Sequence, residues 1–431
     1  MNPVIVIPSY WTDADWLPAM GEIGSYDHAT HVTKPMPELE LCLSSLEQVR
    51  GVLRVVVLLV ADRRCEEAAR ARVESICRAH ARLNLLIVGD AEARSIRKAV
   101  EHIAPRMRSD CLSLRGYGAI RNMGLAVAAV LGHDTVVFLD DDEVVLDENF
   151  LLDAVYGLGN ANRQGLPILA KTGYYLTKDG SPYADEGRTR WCDRYWGLHR
   201  EFNQWMRGAL SGTRISRSNT IYGGCFSVAA EAFTKVAFDP MITRGEDLDY
   251  LLNLRMYGMD VWFDSQWCVR HLPPPIPSHA SLFLQDVYRW CYEIAKLKRT
   301  NATIGMRQIR PASLMPYPAP WLSEDELYSR IARTSLRRAI SCREHLSYFF
   351  VWRRGRKQAQ EWAKKISGRY LEFQTYWPRV MSMLWDDHLI ARKILQSGTV
   401  QSLHQGISDD TMASAPLTSR DLLPKIEEEQ R

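Results

Sequence analysis

Four short apolar runs, each followed by a stretch of helical spacing, constrain this chain more than anything else in it. They are Pro3–Ile7, Val55–Val60, Leu85–Val88 and Thr135–Leu139. Runs this short, apolar at every position rather than at alternate ones, fit strands covered on both faces. Around them, Leu39–Val49, Glu66–His80, Glu92–Ile103 and Ala119–Leu131 carry apolar residues at helical intervals. Strand and helix in alternation predict an α/β fold with a Rossmann-like, open, mostly parallel sheet. Ligands bind such sheets at the carboxyl ends of the strands. The loops opening at Pro8, Asp62, Gly89 and Asp140 are therefore expected to share one cleft.

At roughly 150 residues per domain, the 431 residues leave room for more than this sheet. The middle of the chain is less regular, with a Trp/Arg-rich stretch at Trp191–Trp205 and a helical pattern at Glu246–Tyr257. The proline cluster Pro273–Pro277 then closes a first domain of residues 1–275. Helices are predicted over Leu282–Lys298 and Glu324–Trp385, giving a helical, basic C-terminal region at 276–400. From Arg330 to Arg379 there are 13 Lys and Arg against three acids. The polar residues 401–431 are expected to be a disordered tail.

Over the whole chain 54 basic residues meet 51 acidic ones, a net charge of +3. That balance does not point to nucleic acid, and none is expected as a partner. The nine cysteines are dispersed and form no C-x-x-C pair. This argues against a cysteine-built zinc site and fits reduced thiols in a cytoplasmic protein. No apolar run approaches the roughly 20 residues of a membrane helix, and no signal peptide is visible. A cytoplasmic location is expected, with peripheral contact to an anionic membrane left open by the basic helices.

Four constellations carry chemistry. Val136-Val137-Phe138-Leu139 runs straight into Asp140-Asp141-Asp142-Glu143. Adjacent like charges at the end of a buried strand are costly, and a divalent cation would neutralise them. In an extended loop Asp140 and Asp142 point the same way, so both can address one metal–phosphate unit. Second, Arg244-Gly245 precedes Glu246-Asp247-Leu248-Asp249 at a predicted helix start, where the dipole alone already favours acids. Third, His271 follows an apolar, aromatic segment; imidazole suits manganese-like ions, though a lone histidine is also common as a structural residue. Fourth, Arg115–Gly124 combines glycines with Arg121, which can meet phosphate or an acidic cluster.

The order and spacing of these motifs resemble the nucleotide-sugar glycosyltransferases with the GT-A fold, most closely the family 2 glycosyltransferases. Val4–Tyr10 is similar to their first strand and nucleotide-contacting loop. Arg121-Asn122-x-Gly124 is similar to their A-R-N-x-G, with Ile120 in the alanine's place. Asp140-Asp141-Asp142 matches D-x-D, Glu246-Asp247 the E-D dyad, and Tyr222-Gly223-Gly224 the glycine pair before it. The resemblance covers about residues 1–275. Two departures stand out. Ala61-Asp62-Arg63-Arg64 keeps only Asp62 of the usual acids, and the Q-x-x-R-W motif of processive synthases is not evident.

The resemblance implies an enzyme that moves a sugar from a nucleoside-diphosphate donor to an acceptor hydroxyl on a glycan, a lipid-linked molecule or a small molecule. Mn²⁺ or Mg²⁺ would be held by Asp142 and His271. The donor would meet Pro8, Ser9, Tyr10, Asp62, Arg121, Asp140 and Asp141, and the acceptor Tyr222, Gly223 and Gly224. Asp247 would be the general base, assisted by Glu246, and the product anomer inverted. Two alternatives remain: a retaining GT-A enzyme of the glucosyl- or mannosyl-glycerate synthase kind, and a sugar-phosphate nucleotidylyltransferase. The latter would need a glycine-rich basic loop after the first strand, where this chain has Pro8–Asp13.

Overall fold

The computed structural model of the chain describes residues 1–13, 29–187, 190–274 and 278–400. The tail at 401–431 and part of the proline cluster lie outside the described residues. Ten strands build one sheet among the described residues: β1 Pro3–Thr12, β2 Thr30–His31, β3 Val55–Ala61, β4 Leu85–Val88, β5 Thr135–Phe138, β6 Glu143–Val145, β7 Ala170–Leu176, β8 Ile215–Arg217, β9 Phe226–Ala229 and β10 Val261–His271. The main order is β4-β3-β1-β5-β9-β7-β10-β6. The first four strands are parallel, as the alternating pattern predicts. The other half is mixed. β9 runs antiparallel to both β5 and β7, while β7 and β10 are parallel.

The continuous apolar runs have a direct physical reading. Successive strand residues face opposite sides of a sheet, and here both sides are covered. Val4, Val6, Val56 and Leu58 belong to one buried core, while Ile5, Ile7, Val55 and Val57 belong to the other. The first core extends through the C-terminal helices to Tyr288, Trp377 and Ile394. The helical region beyond residue 275 thus shares a core with the sheet.

A charged pin joins them as well. Lys296, on the helix His279–Asn301, is fully buried and pairs with Asp239 and with Asp249 of the helix Glu246–Met256. Tyr292 donates to the same Asp239 at 2.7 Å. Such a group of charges adds little net stability over an apolar core, but losing one member leaves the others buried and unpaired.

Candidate active site

The cleft arises where the sheet parts. β1 is longer than its sequence pattern suggests and stays paired to β3 as far as Trp11. Its pairing with β5 ends at Val6–Phe138, and β2 joins only from Trp11–Thr30. Ile5 donates its backbone N–H to Arg54, and the Val6 carbonyl accepts from Leu139, so even-numbered residues of β1 face β5. Pro8 therefore turns its nitrogen toward the parting. Having no N–H, it leaves no donor unpaired there. A cleft of about 310 Å³ opens at this point, lined by Pro8, Ser9 and Tyr10 on one side and Asp140, Asp141 and Asp142 on the other.

The acidic loop is held by specific contacts. Ser9 donates through Oγ to Asp141 at 2.6 Å and accepts from Trp11 Nε1 at 2.9 Å. Arg121 reaches Asp140 at 2.8 Å. Glu143, fully buried at the start of β6, accepts the Asp140 backbone N–H at 3.2 Å through Oε2, while its Oε1 is buried without a partner. Burial, reinforced by Asp140 and Asp142, pushes the Glu143 carboxyl well above the usual range. Burial followed by Asp142 does the same for Asp141. The loop is short of positive charge.

His271 closes the far side. It ends β10, which pairs antiparallel with β6 so that His271 stands opposite Glu143. That register brings its Nε2 to 3.3 Å from Asp142 Oδ2, and the next backbone N–H, of Leu272, donates to the Asp142 carbonyl. Tyr175 of β7 flanks the imidazole, with ring centroids 4.9 Å apart, and its hydroxyl accepts from the Gly224 N–H at 3.1 Å.

The third wall is the start of the helix Glu246–Met256. Its N-cap, Gly245, has φ 65°, a left-handed conformation that favours glycine. A Cβ there would stand 1.9 Å from the Arg289 guanidinium carbon. Glu246 and Asp247 sit in the first turn, where the dipole stabilises acids. Glu246 is buried and accepts from Arg121 Nε at 3.1 Å. Asp247 is half-buried, lines the cleft and accepts from the Leu248 N–H at 2.6 Å.

Arg121 thus joins the acidic loop to the helix start. It belongs to the helix Tyr117–Val130, is itself buried, and lies 5.0 Å from the Phe138 ring. Burial works against its charge, but Asp140 and Glu246 outweigh that and hold it above the ordinary arginine value. Its Nη1 is buried with no partner. Asn122, the next residue, faces away from the cleft. It bonds the Phe238 backbone through both ends of its amide, at 2.9 and 3.0 Å, anchoring the Asp239 turn.

Several expected residues fall elsewhere. Asp62 does not line the cleft; it accepts from Tyr10 at 2.9 Å and Thr12 at 2.7 Å, so it reaches the site through Tyr10. The Gly89 loop stays away altogether, its N–H donating to Glu92. Tyr222 is buried, packed edge-on to Tyr175 at 4.6 Å, and its hydroxyl has no partner. Of its two glycines only Gly223 lines the cleft. At Gly224 a Cβ would stand 2.1 Å from Glu143 Oε2, so the residue gives room to the acidic loop. The cleft also takes in Arg244, which opens the Gly245-Glu246-Asp247 motif, and Tyr175 and Arg289, which no sequence motif singles out. Arg244 is steered by Asp286 at 2.8 Å.

Among the described residues no group of three or more His, Cys, Asp or Glu is arranged to hold a metal. The pair Asp142–His271 can give a divalent cation two ligands, and the crowded acids beside it supply the negative field. A site of that kind fits an ion that keeps water or takes phosphate oxygens for its remaining positions.

No protein-family model matches the chain, and no curated protein matches it in sequence. Among solved structures, it is similar to a mannosyltransferase from Pyrobaculum calidifontis in complex with GDP-Man and Mn²⁺. The identity is 14%, covering 90% of this chain and 88% of that one, with a TM-score of 0.43. It is also similar to glucosyl-3-phosphoglycerate synthase from Mycobacterium tuberculosis in complex with Mn²⁺, UDP and phosphoglyceric acid. There the identity is 14%, the coverage 67% and 76%, and the TM-score 0.34. Among the described residues no helix is long and apolar enough to cross a membrane.

Proposed function

We propose that the chain is a glycosyltransferase that moves a sugar from a nucleoside-diphosphate donor to an acceptor hydroxyl, with inversion at the anomeric carbon. One observation carries this reading. At the parted edge of the sheet, an acidic loop with a histidine at 3.3 Å faces a second pair of acids at a helix start. A leaving diphosphate needs positive charge; an acceptor hydroxyl needs a base. The two acidic groups divide these roles.

Asp142 and His271 would hold Mn²⁺ or Mg²⁺, which when bound offsets the charge of the departing diphosphate. Pro8, Ser9 and Tyr10 would border the nucleoside, with Asp141 behind Ser9, and Asp140 the ribose or a metal-bound water. Arg121 keeps the donor loop in register with Glu246. Glu246, tied to Arg121 at 3.1 Å, would help to place the acceptor. Asp247, half-buried on the cleft wall, would accept the proton of the acceptor hydroxyl as that oxygen attacks. Gly223, beside it, would leave space for the acceptor.

Calorimetry with UDP and GDP, in Mn²⁺ or in excess EDTA, tests the donor half of the reading. Binding should require the cation, and equal affinity in EDTA would falsify the metal role. The anomeric configuration of the product, read by NMR, then tests inversion.

A further inference from the structure

We propose that the outward face of the C-terminal helices at 333–357 docks this protein on an anionic phospholipid bilayer. The proposal stands apart from the transfer reaction and begins with what these helices leave uncovered. The helix Glu324–Ser341 turns Ile331, Thr334 and Ser335 inward and leaves Arg333, Leu336 and Ile340 exposed. After the link Cys342–Glu344 the chain continues as His345–Phe350, a wide π turn at Val351–Gly355, and Arg356–Ile366. Tyr348, Val351, Gly355, Ala359 and Ala363 form the inner face of that stretch.

Its outer face is apolar where solvent should favour polar groups. Ile340 is 72% exposed, Leu346 73%, Phe349 45% and Trp352 40%. Phe349 and Trp352 pack ring against ring, centroids 5.6 Å apart, without leaving the surface. Cations are interleaved with them: Arg333, Arg343, Arg353, Arg354 and Lys357 are all exposed. Between residues 327 and 360 the sole acid is Glu344. Its carboxylate is occupied by Ser278 and the Ala280 N–H, at the start of the neighbouring helix.

A merely solvated helix face has no use for these apolar side chains, and a phosphate backbone alone would need only the cations. The interface of an anionic bilayer takes both. Leucine, phenylalanine and tryptophan enter below the headgroups while arginine and lysine meet the phosphates. Neither interaction alone gives durable attachment; combined they do.

Sedimentation of the full chain with vesicles tests this. The vesicles are phosphatidylcholine alone, or phosphatidylcholine mixed with phosphatidylserine, at low and high salt. Binding is expected only with phosphatidylserine and should weaken with salt. Phe349→Ser with Trp352→Ser, and separately Arg353→Glu with Arg354→Glu, should each weaken it by at least roughly tenfold. Arg353 and Arg354 are exposed, so the charge variant should keep the parental melting temperature and reads docking alone; Phe349 and Trp352 are still more than half covered, so their variant is read beside its own melting curve. Absence of binding to the mixed vesicles overturns the proposal, as does binding unchanged in both variants. Equal affinity for single-stranded RNA through the same arginines would mean a nucleic-acid surface instead. A dimer in light scattering that dissociates in the Phe349/Trp352 variant would mean a self-association face.

Discussion

His271 and Asp142 meet side chain to side chain at 3.3 Å although they lie far apart in the chain, and the antiparallel pairing of β10 with β6 is what brings them together. The contact is partly open to solvent on the histidine side, which makes it accessible to a cation.

His271→Ala should therefore weaken Mn²⁺ binding in the presence of UDP or GDP while the melting temperature changes little. Mn²⁺ titration followed by electron paramagnetic resonance reads the first quantity, and thermal melting the second. A variant with parental Mn²⁺ affinity removes His271 from the ligand set.

Asp142→Asn and Asp247→Asn should part company. The first should lose donor affinity and turnover together. The second should bind donor nearly normally while kcat falls by roughly 10²–10⁴-fold, the usual worth of a positioned base. Were Asp247 only a first-turn acid favoured by the helix dipole, its loss would cost about 0.3–1 kcal/mol of stability with turnover intact. Donor calorimetry, melting and kcat on both variants separate these outcomes. Retained turnover in Asp247→Asn favours a retaining mechanism.

Gly224→Ala places a methyl group 2.1 Å from Glu143 Oε2. Glu143 is buried and bonded to the Asp140 N–H, so it has nowhere easy to go. Overpacking of this kind costs about 1–3 kcal/mol, and the displaced acidic loop should also bind donor less tightly. If thermal melting and donor affinity both match the parent, Gly224 is not the spacer described above.

Lys296→Met should destabilise the chain by about 3–5 kcal/mol, because it strands two buried carboxylates. Replacing Asp239 and Asp249 by apolar residues in the same variant should recover part of that loss. Urea unfolding of the parent, the single and the triple variant measures both effects.

These sites differ in how far the sequence announces them. The parallel half of the sheet is legible because its strands are apolar on both faces and its helices keep a clear period. The acids after β5 and at the Glu246 helix stand out because charge at the end of a buried element is conspicuous. The antiparallel half is not legible. β9 is only Phe226–Ala229, and nothing local shows that it inserts between β5 and β7. His271 looks solitary in the chain because its partner is set by strand register, which sequence spacing does not encode. Arg289 escapes notice because it lies inside an ordinary helical stretch with no motif around it. Only the docking of the His279–Asn301 helix against the Gly245 turn brings it to the cleft, beside Arg244. Asp62 and Tyr222 carry motif resemblance, but hydrogen bonding and burial give them supporting positions.

The parting of the sheet beside Pro8 carries one more consequence. An opening made by unequal strand lengths is bounded by main chain, whose pairing depends less on the side chains that line it than on where each strand ends. Tyr10 lines the opening without setting its width, while Ser9 also ties β1 to Asp141 of the acidic loop. Substituting Tyr10 should alter the lining of the cleft while the opening itself persists. Shortening β1 by even one residue pair, by contrast, would move the opening and every group gathered round it. The chain therefore separates the durable part of its architecture from the part that can be re-tailored to a new ligand.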